Sequence, residues 1–334
     1  MLLVLKTIDN DGRFEALKRL LTTHWTWTVA DHTDSAAFAR ALAHADAVIS
    51  MNWPASFPPA PKLRLIQLPG AGTDDIVFDA VPPAASVCNA YEHEIGIAEY
   101  VLAAMLEWRI RMRRMDAELR HGRWWGSWLA GPAATHGEVF GRTLGIVGYG
   151  RIGREVAKRA HAFGMRVIAV NRTPKPADGW AERIERMDRF HELLGESDFV
   201  LSALPLDEKS RGLFDATAFA NMKRDAVLIN VGRGRTVDEQ ALFEACRDRR
   251  IGGAVIDTWY DYPPQTGHEV PTLRPSRFPF HELDNVIMTP HASAWTDALL
   301  ERRCRIMAGN LDRLARGEPL VNLVRAPKSA AAAA

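Results

Sequence analysis

The stretch Leu144-Gly145-Ile146-Val147-Gly148-Tyr149-Gly150-Arg151-Ile152-Gly153 constrains the fold more than any other part of the chain. An apolar run long enough for one buried strand passes directly into Gly-x-Gly-x-x-Gly. Glu155 to Phe163 then reads as a helix, and a second apolar run follows at Arg166 to Val170. A lone glycine pattern is weak evidence, but strand, glycines, helix and second strand within about 30 residues form the setting a dinucleotide requires. Gly148 suits the tight turn, Gly150 lets backbone approach a pyrophosphate, and Gly153 lets the helix pack closely on the strand. The helix N-terminus, with Arg151 and Ile152 in its first turn, then offers unpaired amides to the phosphates.

The same alternation of short apolar runs and helical segments extends over nearly the whole chain, the pattern of α/β proteins with helices on both faces of a parallel sheet. In the first third the predicted strands are Leu2 to Lys6, Ala47 to Ser50 and Leu63 to Leu68, with helices at Phe14 to Leu21 and Ser35 to Leu42. From Thr143 the beat restarts with Leu144 to Gly148, Arg166 to Val170, Phe199 to Ser202, Ala226 to Asn230, Ala254 to Asp257 and Val286 to Met288. A length of 334 residues accommodates two such domains. Apolar residues make up 47% and charged residues 25%, as in an ordinary soluble globular protein. With 42 basic against 41 acidic residues, the net charge of +1 gives no electrostatic reason to expect nucleic acid or an anionic membrane as partner. The apolar run Leu2 to Leu5 is far too short for a signal core or a membrane span, so the chain is expected to start at Met1 and to work in the cytoplasm. Cys88, Cys246 and Cys304 are too widely spaced for a disulfide framework or a cysteine metal site, and are expected to be reduced, with no metal bound. The Ser329 to Ala334 ending carries no folding signal.

Ile95 to Leu106 is almost wholly apolar and turns basic at Arg109, Arg111, Arg113 and Arg114, which predicts one long helix with cations near its C-terminal end. Between Gly122 and Gly141 the connection holds Trp124, Trp125 and Trp128. That much apolar surface needs a partner subunit or its own domain to cover it.

An NAD site normally places an acid at the end of the second strand to hold the ribose 2′-hydroxyl, roughly 20 residues past the glycines. Here Asn171 stands 18 residues beyond Gly153, followed by Arg172 and Thr173. A neutral side chain with an adjacent guanidinium suits a 2′-phosphate, so NADP is expected, with NAD as the alternative in which Arg172 stacks on the adenine or faces water.

Further motifs resemble the D-isomer-specific 2-hydroxyacid dehydrogenase family over nearly the whole chain. In Asn230-Val231-Gly232-Arg233-Gly234-Arg235, Arg233 stands at the place of the family's catalytic arginine. Thr289-Pro290-His291-Ala292-Ser293 is similar to the segment of its catalytic histidine, and Gly253-Ala254-Val255-Ile256-Asp257 to the strand whose terminal acid lies near the nicotinamide. Leu204-Pro205-Leu206 resembles the turn beside the cofactor, and Pro69-Gly70-Ala71-Gly72 the loop whose amides receive the substrate carboxylate. Each piece alone is common, but they stand in order across about 220 residues. The resemblance implies two doubly wound domains, a Rossmann-type nucleotide domain at 94–291 inserted into a flavodoxin-like substrate domain of 1–93 and 292–334. It implies a homodimer, and a substrate that is a small 2-keto or 2-hydroxy acid such as glyoxylate or hydroxypyruvate. Met51, Asn52, Trp53 and Trp295 face that substrate only by analogy.

The residue types suit the chemistry. Hydride arriving at a ketone carbon puts charge on the oxygen, which a histidine can protonate, and a planar carboxylate is matched by the arginine fork. The chain departs from the family at one place. The family's glutamate partner of the histidine falls on Tyr262, in Asp261-Tyr262-Pro263-Pro264, which makes Tyr262 a third candidate catalytic residue. A neutral hydroxyl orients an imidazole without stabilising imidazolium, so His291 is expected to titrate near or below about 6.5, with reduction fading as pH rises through that value. Asp261, Glu269 and the string Tyr91-Glu92-His93-Glu94 are alternative sources of a carboxylate. Formate-like dehydrogenases and dinucleotide-sensing corepressor relatives stay as other readings of the altered pair.

Overall fold

The structure, a computed structural model, describes residues 1–6, 12–30, 34–263 and 272–328. Pro264, Glu269 and the Ser329 to Ala334 ending lie outside the described residues. In chain order the strands are β1 (Leu2–Lys6), β2 (Thr26–Ala30), β3 (Ala47–Ile49), β4 (Leu65–Gln67), β5 (Ser86–Cys88), β6 (Thr143–Val147), β7 (Arg166–Asn171), β8 (Arg183–Arg186), β9 (Phe199–Ser202), β10 (Val227–Asn230), β11 (Gly253–Ile256), β12 (Val286–Met288) and β13 (Leu323–Arg325). The α-helices are α1 (Arg13–Leu20), α2 (Ser35–Leu42), α3 (Glu94–Ile110), α4 (Met112–Arg120), α5 (Arg151–Ala162), α6 (Phe190–Glu196), α7 (Ala216–Asn221), α8 (Glu239–Arg247) and α9 (Leu299–Arg316). Among the described residues no helix is long and apolar enough to cross a membrane.

The contacts divide the described chain into two compact units: residues 1–92 with 296–328, and residues 93–263 with 272–295. In the second unit seven parallel strands run in the order β8-β7-β6-β9-β10-β11-β12. Every residue of β6, β9, β10 and β11 is buried, because helices cover both faces and leave no polar side to the sheet. One face packs Ile97, Val101 and Met105 of α3 with Val156 and Ala160 of α5. The other packs Phe190 and Leu193 of α6, Phe219 of α7 and Leu242 of α8. The strand order reverses between β6 and β9, which is where a doubly wound sheet opens a crevice at the carboxyl ends of its strands.

The first unit has parallel strands in the order β2-β1-β3-β4-β5, with β13 added antiparallel to β5. Helix α9 returns the chain to this sheet, where buried Asn310 donates to Gln67 Oε1 at 2.8 Å and to the Val321 carbonyl at 3.0 Å. Asp312 accepts from the amides and hydroxyls of both Thr22 and Thr23. These bonds tie the C-terminal helix to the N-terminal half of the unit.

Two expectations change. The basic stretch does not continue one helix: Arg111 adopts a left-handed conformation (φ 58°), ending α3 and starting α4. The strands absent from the sequence reading are β2, β8 and β13, all at sheet edges, together with the three-residue β5. β8 carries polar residues instead of a buried apolar run: Arg183 pairs with Glu185 at 2.8 Å and also with Glu196.

Candidate active site

The glycine loop follows β6. Gly148 has φ 100°, and a Cβ there would lie 2.9 Å from the carbonyl oxygen of Ala203, which follows β9. A Cβ on Gly153 would lie 2.7 Å from the Gly148 carbonyl oxygen and 3.0 Å from Ile146 Cγ2, so α5 presses directly onto the strand end. At Gly150 nothing lies within 4 Å of that position. The open side of the loop is therefore the residue directly before α5, whose N-terminus has no side-chain cap. This is a fit for a pyrophosphate: room at the middle glycine and amides at a helix start. Arg151 in the first turn points toward the nearly buried Glu94 carboxylate at 3.6 Å, and Ile152 packs on the core.

At the end of β7, the Asn171 amide donates to the Thr173 carbonyl at 2.9 Å and closes the turn. Arg172 pairs with Asp207, two residues past Pro205 in the loop after β9. Asp207 also accepts from the amides of Lys209 (3.0 Å) and Ser210 (2.9 Å). The Arg172 guanidinium holds the Asp207 carboxyl below its ordinary range. The pair bridges two loops on either side of the glycine loop, since β6 lies between β7 and β9. Asp207 was missed by motif reading, although Leu204-Pro205-Leu206 marks its loop.

Arg233 follows β10 between two glycines. A Cβ on Gly232 would lie 2.6 Å from the Leu204 carbonyl oxygen, and one on Gly234 would overlap the Trp259 carbonyl. The Arg233 carbonyl accepts from Thr236 Oγ1 at 2.7 Å and from Asn230 Nδ2 at 3.2 Å, and its guanidinium donates to the Gly232 carbonyl at 2.9 Å. The backbone carrying the arginine is thus held between the loops after β9 and β11.

His291 follows β12 with φ 56°, a conformation that costs a non-glycine residue about 1–3 kcal/mol. Asp257, fully buried at the end of β11, offsets this cost. Its Oδ1 accepts from Thr289 Oγ1 (2.6 Å) and the Ala292 amide (2.8 Å), and Oδ2 from the Ser293 amide (3.0 Å). Bonds to a carboxylate are worth about 1.5–3 kcal/mol each, enough together to hold the strained turn from both sides. Trp259 Nε1 donates to the Thr289 carbonyl at 2.7 Å. Because the single Thr289 hydroxyl proton goes to the carboxylate, Tyr100 donates its own to Thr289 Oγ1 at 2.7 Å. Neither Tyr100 nor Thr289 was a candidate from sequence; their polarity inside an apolar helix and beside Pro290 is the available signal.

Tyr262 reaches the histidine: its hydroxyl lies 2.9 Å from His291 Nδ1 and accepts from the Trp259 amide at 3.0 Å. Asp261 instead lends its backbone amide to the Pro275 carbonyl. Loss of water around the ring pushes the His291 pKa below its ordinary value; Asp257 opposes the shift and Arg233 adds to it. Burial raises the Tyr262 pKa, against the Trp259 amide and Arg233. Arg233, Asp257, Tyr262 and His291 therefore act on one another within the second unit.

In the first unit, Gly70, Ala71 and Gly72 form a loop after β4, where the Gly70 carbonyl accepts from the Ala90 amide (3.0 Å) and the Ala71 carbonyl from Asn89 Nδ2 (2.9 Å). Trp53 is a correction. It is 1% exposed, packs edge-on against Phe57 and donates from Nε1 to the Ala80 carbonyl, so it belongs to the core and not to a substrate surface. Its neighbour Met51 and Trp295 are exposed.

Fold order, glycine loop and helix start define a dinucleotide-binding protein of the Rossmann class. Residues 102–293 match the D-isomer specific 2-hydroxyacid dehydrogenase, NAD binding domain, and the chain belongs to that family. A glyoxylate reductase of Korarchaeum cryptofilum is 34% identical over 278 residues, 80% of this chain and 78% of that protein. A D-3-phosphoglycerate dehydrogenase of Methanocaldococcus jannaschii is 33% identical over 270 residues, 80% of this chain, which spans 48% of that longer protein. A crystal structure of a Thermus thermophilus protein superposes with a TM-score of 0.76 at 29% identity, covering 97% of this chain and all of that one.

The charges around His291 set a measurable value. By NMR titration its midpoint should fall below about 6.5, and Arg233→Gln should move it upward, because the guanidinium disfavours imidazolium. A midpoint above 7 in the unaltered protein contradicts this electrostatic picture.

Proposed function

We propose that the protein is an NADP(H)-dependent reductase of small 2-keto acids of the glyoxylate and hydroxypyruvate type, working in the cytoplasm as a homodimer. The observation that carries the reading is Arg233 and His291 held in one electrostatic environment at the carboxyl edge of the seven-stranded sheet, with Asp257 behind the histidine. Similarity to a glyoxylate reductase supports the substrate class. The nicotinamide, when bound, supplies the hydride. Arg233 holds the substrate carboxylate by its planar fork and polarises the adjacent carbonyl, and His291 delivers the proton to the carbonyl oxygen. The loops carrying Gly148, Gly150, Arg151 and Ile152, and Leu204 and Pro205, would seat the cofactor, with Asp257 holding the histidine loop beside it.

This reading is tested by NADPH consumption with glyoxylate and hydroxypyruvate. Arg233→Ala should lower kcat/KM by roughly 100-fold or more while leaving cofactor affinity nearly unchanged. Unchanged turnover would remove Arg233 from the site, and no turnover on any 2-keto acid would favour the formate-like or sensing readings.

The cofactor preference rests on Arg172, with Asn171 in the place of an acid. Its partner Asp207 is exposed, so the pair exchanges readily for a phosphate. By fluorescence titration NADPH should bind more tightly than NADH. Arg172→Ala should weaken NADPH by roughly 10- to 100-fold, and Asp207→Asn should tighten it without the same gain for NADH. Equal or tighter NADH binding would make the cofactor NAD.

Trp124, Leu129 and Phe140 are exposed, and Trp128 is 87% exposed, while Trp125 is covered by the Arg114 guanidinium. An apolar surface of this size on one connection suits a second copy of the chain. Light scattering should give a dimer, and Trp128→Glu should shift it toward monomer; a monomeric unaltered protein rejects the interface.

A further inference from the structure

The geometry points to a proton relay in which Tyr262 recharges His291 at Nδ1 as His291 gives up its Nε2 proton, so that the neutral imidazole serves as the acid. This rests on the proposed 2-keto acid reduction.

The argument begins with proton counting. A phenol carries one proton, and a backbone amide only donates. The Trp259 amide donates to the Tyr262 oxygen at 3.0 Å, and the relay assigns the hydroxyl proton to the other contact, His291 Nδ1 at 2.9 Å. An imidazole nitrogen that accepts has no proton, so in the neutral ring the proton is on Nε2. A carboxylate partner would do the reverse: it accepts from Nδ1–H and favours the imidazolium. The charged groups facing the pair among the described residues are Arg233 from the end of β10 and Asp257 from the end of β11, with the Tyr100 hydroxyl behind Thr289. Dehydration and Arg233 disfavour imidazolium, Asp257 opposes them, and the balance favours the neutral ring.

The step balances without imidazolium. As hydride reaches the keto carbon from the reduced nicotinamide, the carbonyl π pair moves to oxygen. The new O–H bond forms as Nε2–H breaks, and Nδ1–H forms as the phenol O–H breaks. The charge ends on the Tyr262 oxygen, where the Trp259 amide and the field of Arg233 offset part of the cost set by burial and Asp257, and water later returns the proton. Even with its pKa raised by burial, a phenol is a stronger acid than an alcohol, so the transfer to an alkoxide runs downhill. Tyr262 acts here through His291; it positions the ring and supplies it.

Two measurements on the whole protein test this. In ¹⁵N NMR without cofactor, His291 should be in the Nε2–H tautomer near pH 8, and Tyr262→Phe should release that preference. In the pH profile of reductive kcat/KM, the unaltered enzyme should hold its rate above the NMR midpoint of His291. Tyr262→Phe should bring the descending limb onto that midpoint and cost roughly tenfold or more near pH 8, with little loss where the ring is already charged. If Tyr262→Phe folds poorly, Tyr262→Glu serves: the His291 midpoint and the limb should then rise together. An Nδ1–H tautomer, or an unaltered enzyme whose rate falls in step with the His291 titration, overturns the relay alone. No turnover on any 2-keto acid, with the Nε2–H tautomer present, overturns the functional reading and with it the relay.

Discussion

Backbone meets backbone across the carboxyl edge of the seven-stranded sheet, and the site is built on that contact. The loop after β6 touches the loop after β9 at Gly148 and Ala203, the loop after β9 touches that after β10 at Leu204 and Gly232, and the latter touches that after β11 at Gly234 and Trp259. At each crossing a Cβ would lie 2.9 Å or closer to a backbone atom of the neighbouring loop. The strand order β6-β9-β10-β11 places these four loops side by side, and glycine lets them close up. Arg233 and the glycine loop are therefore parts of one packed edge, not independent loops.

The loop carrying His291 uses a different device. His291 is held in a conformation that its side chain disfavours, and it stays there because a fully buried carboxylate binds the backbone beyond it and the threonine before it. Burial makes those bonds strong, since Asp257 has no water to turn to. A carboxylate placed by the family resemblance near the nicotinamide thus has a structural duty as well, and changing it would release the histidine loop. By contrast, the Arg172 and Asp207 pair beside the glycine loop is open to solvent and screened, so it holds its two loops together only weakly.

The sequence determined the two-unit α/β plan, because buried parallel strands need unbroken apolar runs and the helices between them need their own period. It also located the glycine loop, Arg233, His291 and the anomalous Tyr262, since local motifs carry those positions. The edge strand β8 escaped because it carries charges that mimic a loop, and β13 because its three residues, Leu323–Arg325, are too few for a strand signal. Trp53 was misplaced for the opposite reason: an aromatic beside a strand end reads as available until the packing of Phe57 and the Ala80 carbonyl shows it enclosed. Only the tertiary structure decided which hydroxyl meets which imidazole nitrogen, which carboxylate holds the histidine turn and which acid holds Arg172. Those contacts join residues 29, 35 and 35 positions apart in the chain, and such pairings depend on how neighbouring strand ends are brought together, a distance that no local spacing of residues records.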